Sequence, residues 1–158
     1  MKRTPNAPEP IILECDLPHE PPLVWRALAE RDLLGAWLLP NDLRPEAGAQ
    51  FGFEHADRPG SRIDCEVLEV EPSRVLRWRQ TEDGDADSGW HRVSSVVTIE
   101  LTANARGGTH LRLVHGEFRV ETEAPELTAP VALASVTPFR PARFRNHANT
   151  ICQLRRAA

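Results

Sequence analysis

The residues that could do chemistry are few and scattered. His115 stands on the apolar phase of an alternating segment, Leu111, Leu113, His115. An imidazole placed there could act as a general base or bond a ligand inside a cavity. It is more simply a core histidine bonded to a neighbour, because buried polar groups are nearly always satisfied. Asp64 and Glu66 share the polar phase of another segment. Paired carboxylates can move protons, but here they read as solvent-facing partners of Arg77 or Arg79 on an adjoining strand. Cys65 lies between them and points to the apolar side. No base is near it in sequence and burial raises a thiol's pKa, so it reads as a small hydrophobe.

Metal and cofactor chemistry has little support. The acidic loop Asp83-Gly84-Asp85-Ala86-Asp87-Ser88-Gly89 invites a calcium reading. A calcium-binding helix–loop–helix needs glycine at its sixth loop position and glutamate at its twelfth; counted from Asp83, these are Ser88 and Ser94. A solvated hairpin loop fits better. His55, His91 and His110 fall at strand ends or on polar faces, and His147 on the flank of a terminal helix; none makes a metal-binding spacing. No Gly-x-Ser-x-Gly, Walker or dinucleotide-binding glycine motif occurs. No metal, no cofactor and no catalytic set of nucleophile, base and orienter is therefore expected.

These residues must be positioned by a mostly β scaffold. Ile11 to Leu17 can be a strand, ended by Pro18. Pro21 and Pro22 suit the first turn of a helix carrying Val24, Ala27 and Leu28. Leu33, Leu34 and Trp37 suggest a second short helix, stopped before Pro40. Alternation then predicts strands near 49–55, 61–71, 74–81, 91–103 and 108–117, after a first at 10–17. The apolar phase moves from Ile63, Cys65 and Val67 to Leu68 and Val70, which predicts a β-bulge near Val67. Short turns between strands favour an antiparallel meander, and the inserted helical pair makes the class α+β. Pro125, Pro130, Pro138 and Pro141 exclude one long helix over 120–141. Beyond them Phe144, Ala148, Ile151 and Leu154 form the stripe of a short helix over 142–156. Arg143, Arg145, Arg155 and Arg156 on it read as helix-stabilising cations. Trp25, Trp37, Phe51, Phe53, Trp78 and Phe118 suit a pocket wall and an ordinary core alike.

Bulk properties narrow the class. A chain of 158 residues with 41% apolar and 27% charged residues reads as one globular domain with its own core. A net charge of -4 argues against nucleic acid as the partner. No apolar run approaches the ~20 residues of a membrane span, and no apolar stretch follows Lys2 and Arg3 to make a signal peptide. No membrane association is expected. Three widely spaced cysteines, Cys15, Cys65 and Cys152, fit a reducing cytoplasm.

In order, Val24-Trp25-Arg26-Ala27-Leu28, Trp37-Leu38-Leu39-Pro40, Cys65-Glu66-Val67-Leu68-Glu69-Val70-Glu71-Pro72, Leu76-Arg77-Trp78 and Leu111-Arg112-Leu113-Val114-His115-Gly116-Glu117-Phe118 form a spaced pattern. It resembles the activator of heat-shock-protein ATPase-like branch of the START-like, or SRPBCC, superfamily. The resemblance implies an α+β helix-grip fold: a curved antiparallel six-stranded sheet, two small helices and a C-terminal helix, shortened here. One domain would span 1–158, with a loose arm at 1–9 and an atypical proline-rich segment at 119–141. It further implies a cavity for a small apolar or amphipathic ligand, lined by Trp37, Phe51, Phe53, Cys65, Trp78, Val97, Leu113 and His115. Other relatives are cyclases or hydrolases, and eukaryotic ones bind a chaperone's middle domain, so an enzyme and an interaction module are the alternatives. Because the terminal helix is short, the 120–141 segment or the second subunit of a homodimer is expected to help cover the sheet.

Overall fold

Alternation of apolar and polar side chains carries through six segments, and each is a strand in the computed structural model, which describes residues 9–55, 58, 60–83 and 92–121. β1 is Ile11–Leu17, β2 Gln50–Glu54, β3 Arg62–Glu71, β4 Val75–Asp83, β5 Arg92–Ala103 and β6 Thr109–Glu121. They form one curved sheet in the order β1-β6-β5-β4-β3-β2, with every neighbouring pair antiparallel. Five strands thus follow one another as a meander, and β1 closes against the last of them.

Between β1 and β2 lie two short helices, α1 Pro21–Ala29 and α2 Arg31–Trp37. Prolines occupy the first turn of α1, where the missing N–H costs nothing. Glu30 ends α1 and begins α2, its extended backbone breaking the helical run. Val24, Leu28, Ala29 and Leu34 are buried, whereas Leu33 is largely exposed and does not join the core stripe that its spacing suggested. The indole N–H of Trp37 donates to the Ala27 carbonyl at 2.9 Å and locks the helical pair.

The expected bulge is present. The β3–β4 register shifts between Val67 and Glu69. A second shift, between Ser94 and Val96 on β5, sets Ser95 against Glu117 and Phe118 of β6. Glu117 there takes a left-handed backbone, φ 53°. This bulge lets β6 run on to Glu121 instead of stopping at 117.

The sheet edges are tied down. At β2, Asp42 accepts the Gly52 N–H at 2.8 Å and pairs with the Arg62 guanidinium at 2.9 Å, so the loop after α2 lies along the strand. Asn41 adds a single bridge to Phe53. In the β5–β6 turn, Asn104 Oδ1 accepts the backbone N–H groups of Arg106 and Gly108. On the outer face, Glu66 meets Arg79 as expected, at 3.3 Å. Asp64 stands opposite Thr81 and pairs with Arg62 of its own strand, while Arg77 reaches Glu117 on β6 at 2.7 Å.

Residues 1–8 of the N-terminal arm, the acidic loop beyond Asp83, His91, the proline-rich segment past Glu121, the helix expected over 142–156 and Cys152 lie outside the described residues. Among the described residues no helix is long and apolar enough to cross a membrane.

Two glycines separate rigid from yielding contacts. A Cβ on Gly108 would overlap the Leu17 carbonyl, which is backbone, whereas on Gly52 it would overlap only the Arg62 side chain. Gly108→Ala should destabilise by about 1–3 kcal/mol, as overpacking does. Gly52→Ala should cost less, because Arg62 can swing aside. Urea unfolding of both variants checks the order; equal losses would mean that Arg62 is as immovable as the backbone.

Candidate functional site

The side chains of one sheet face are buried, and register shows which of them meet. One row across the strands runs Ile11, His115, Val97, Trp78, Val67 through successive Cα pairings. The adjacent row runs Ser95, Gln80, Cys65, Phe51. Phe53 pairs with Ile63 one row further on. Of the eight residues expected at a cavity, Phe51, Phe53, Cys65, Trp78, Val97, Leu113 and His115 are all buried on this inner face. Trp37 is half-buried against the same core, with its indole N–H committed to α1.

Phe51, Phe53 and Trp78 form an aromatic triangle with centroids 5.4, 6.2 and 6.1 Å apart. The two Phe51 contacts are edge-to-face, the favoured geometry for aromatic pairs. The wall is therefore stiff as well as apolar.

Polar groups are set into that wall. Gln80 is 3% exposed, Ser95 4% and His115 2%. Ser95 Oγ and His115 Nε2 lie 2.7 Å apart, and the His115 ring packs on Phe118 at 4.8 Å. The Trp78 indole N–H donates to Gln80 Oε1 at 3.4 Å, and Gln80 Nε2 donates to Glu82 Oε1 at 3.5 Å. Burial pushes the His115 pKa down to about 4, so its ring is neutral at physiological pH. Burial, reinforced by the Asp64 carboxylate, pushes the Cys65 thiol far above the range in which it could act as a nucleophile.

Gln80 is not singled out by the sequence as a site residue, Phe118 only as one of six aromatics that suit pocket wall and core alike, and Ser95 only as part of a strand face. Gln80 follows Leu76 and Trp78 at period two, so strand phase alone assigns it to this face. Phe118 required the second bulge to turn inward.

Cations are sorted to the other side. Arg62, Arg77, Arg79, Arg92, Arg112 and Arg119 all fall on the outer phase of their strands, so among the described residues no strand places a cation on the inner face. His110 lies on the outer face too, near Asp16 and Glu14. Among the described residues no group of three or more His, Cys, Asp or Glu could hold a metal ion.

A curved antiparallel sheet of this order, with two short helices between its first two strands, is the helix-grip architecture of the START-like superfamily. Residues 18–132 match the model of a family described as "Activator of Hsp90 ATPase homolog 1-like protein", and the chain belongs to that family. Among solved structures, protein MLL2253 from Mesorhizobium loti is 27% identical with a TM-score of 0.64, over 93% of this chain and 94% of that one. BH1534 from Bacillus halodurans is 21% identical with a TM-score of 0.59, over 94% of this chain and 92% of that one. DynU16, from the dynemicin biosynthetic locus, is 19% identical with a TM-score of 0.62, over 94% of this chain and 47% of that one. No curated protein matches the chain.

The buried histidine gives stability a defined pH dependence. In the unfolded chain a histidine titrates near 6.5, whereas folded His115 stays neutral down to about 4. Between those values the unfolded state takes up a proton that the fold refuses, so stability falls as pH drops through that window and is unaffected above it. The loss should reach roughly 2–3 kcal/mol by pH 4.5. His115→Gln removes this component, so the stability gap between wild type and variant should move by that amount between pH 7 and pH 4.5 in urea unfolding. A gap independent of pH would mean that the folded protein protonates His115 freely.

Proposed function

We propose that this protein binds a small, largely apolar molecule against the inner face of its sheet, without transforming it. The observation that carries the reading is a neutral polar cluster, Gln80, Ser95 and His115, set within a stiff aromatic and aliphatic wall. Ligand sites are commonly built this way: mostly apolar surface for affinity and a few placed polar groups for orientation. Membership of a START-like family supports the same reading.

One observation favours catalysis instead. Ser95 and His115 make a hydroxyl–imidazole contact of the kind that activates a nucleophile. Basicity decides against it. An imidazole with a pKa of about 4 is a weak base at neutral pH, far from the match that efficient general-base catalysis requires. The pair serves better to orient a bound polar group.

Native mass spectrometry of the protein purified from its source tests the reading. A co-purifying small molecule, lost on denaturation and recovered chemically unchanged after incubation with fresh protein, is the expected result. Conversion of that molecule, abolished by Ser95→Ala, would replace binding with catalysis.

A further inference from the structure

The polar cluster on the inner face has a definite electrostatic character. Its three buried members, Gln80, Ser95 and His115, carry no formal charge at neutral pH. Beyond them, the ionisable side chains on the inner phase of the described strands are the Cys15 and Cys65 thiols, the latter kept protonated by burial, and Glu82, half-buried toward the end of β4. The arginines of the strands lie on the outer face, where Arg112 engages Glu14 and Glu100, Arg79 engages Glu66 and Arg77 engages Glu117. A carboxylate or phosphate brought to this face would meet no strand cation. Burying an uncompensated anion is among the most costly things a protein can do.

The cluster also has spare hydrogen-bonding capacity. Gln80 and Ser95 are direct cross-strand partners in the β4–β5 register, so their side chains leave the sheet side by side. The two side-chain bonds of Gln80 are 3.4 and 3.5 Å long, at the weak limit for such contacts. A carboxamide offers two donors and two acceptor lone pairs. A serine hydroxyl offers one donor and two lone pairs, and the 2.7 Å contact with His115 uses one of them. A ligand oxygen arriving between the two side chains could be bonded from both strands, and its hydrogen bonds would replace weak ones.

We propose that Gln80 and Ser95 form the polar subsite of the binding face and select an uncharged hydrogen-bonding ligand, one bearing a carbonyl, hydroxyl or carboxamide, over a carboxylate. This rests on the binding function proposed above. Glu82, whose carboxylate accepts from Gln80 Nε2 at 3.5 Å, adds a like charge against a bound carboxylate.

The test uses the full chain and a neutral fluorescent dye, N-phenyl-1-naphthylamine, displaced at pH 7.5 by three ligands with matched chains: 2-decanone, decanoate and decylammonium. Dye binding checks the parent reading by itself; if the dye does not bind, that reading falls and the present inference with it. If it binds, 2-decanone should displace it at about tenfold lower concentration than decanoate, a difference of about 1.4 kcal/mol. Displacement by decanoate at the same or lower concentration than the ketone overturns the selectivity while leaving the binding function standing. Gln80→Leu combined with Ser95→Ala should erase most of the ketone's advantage, and an intact advantage in the folded double variant also overturns the assignment. Gln80→Glu, nearly the same size, should turn the preference toward decylammonium; an unchanged order in this variant would place the subsite elsewhere.

Discussion

The inner face exists because two strands change phase at the right residues. Side chains alternate strictly along a strand, so an uninterrupted β3 that turned Ile63, Cys65 and Val67 inward would also turn Glu69 and Glu71 inward. An uninterrupted β6 would likewise follow Leu111, Leu113 and His115 with Glu117 and Arg119. The bulge after Val67 and the bulge at Glu117 each insert one residue and move those charges out. The second carries a visible cost. Glu117 sits in the left-handed region, unfavourable by roughly 1–2 kcal/mol for a residue with a Cβ. Burying the Phe118 ring in place of a charged side chain returns about 1.5–3 kcal/mol, and Arg77 holds the displaced carboxylate at 2.7 Å on the outer face. The balance favours the bulge even before the cost of a buried glutamate is counted.

That same bulge builds the polar cluster. Ser95 is the single residue of β5 facing two residues of β6. The extra residue brings Phe118 beside the His115 ring, and the locally altered register leaves Ser95 Oγ within 2.7 Å of His115 Nε2. A regular ladder would continue with a residue directly opposite Ser95 and no such convergence. Local irregularity of this kind is a common means by which sheets aim side chains at a site. The low pKa of His115 follows from the packing: Phe118, Val97 and the neighbouring strands exclude water from the ring, so its charged form loses its solvation.

The strands and the first bulge were legible because they rest on alternation, which the sequence carries directly. The shift from Cys65 and Val67 to Val70 can be read without a structure. The second bulge carries a similar mark, since His115 and Phe118 are three apart. Gly116 and Glu117 between them look like the end of a strand, and nothing local says that pairing resumes with Phe118 and Val120. The pairing of β1 with β6 joins strands at opposite ends of the described residues, and no local pattern encodes it. Most of the expected pocket residues share the inner face because apolar phase is a sound guide to burial. Gln80 was overlooked for the same reason. A search for apolar alternation skips a glutamine, even one two residues beyond Trp78.

The division of charge between faces means that the protein's overall acidity says little about the chemistry of its inner face. Glu14, Arg112 and Glu100 line up across three adjacent strands, with Arg112 within 3.3 and 3.1 Å of the two carboxylates. Arg79 with Glu66 and Arg77 with Glu117 extend the pattern. These pairs are partly exposed, and such pairs contribute about 0–1 kcal/mol each. Their larger effect is on register. A slip of one residue in any central strand would bury arginine and glutamate among Phe51, Trp78 and Val97, at a cost well beyond what any single surface pair contributes. The outer ladder therefore specifies which way the sheet faces. By confining the strands' guanidinium groups to the outside, it leaves the inner face of the described strands without an arginine. The polar groups on that face are then chiefly a glutamine, a serine and a neutral histidine, which a net-charge count does not register.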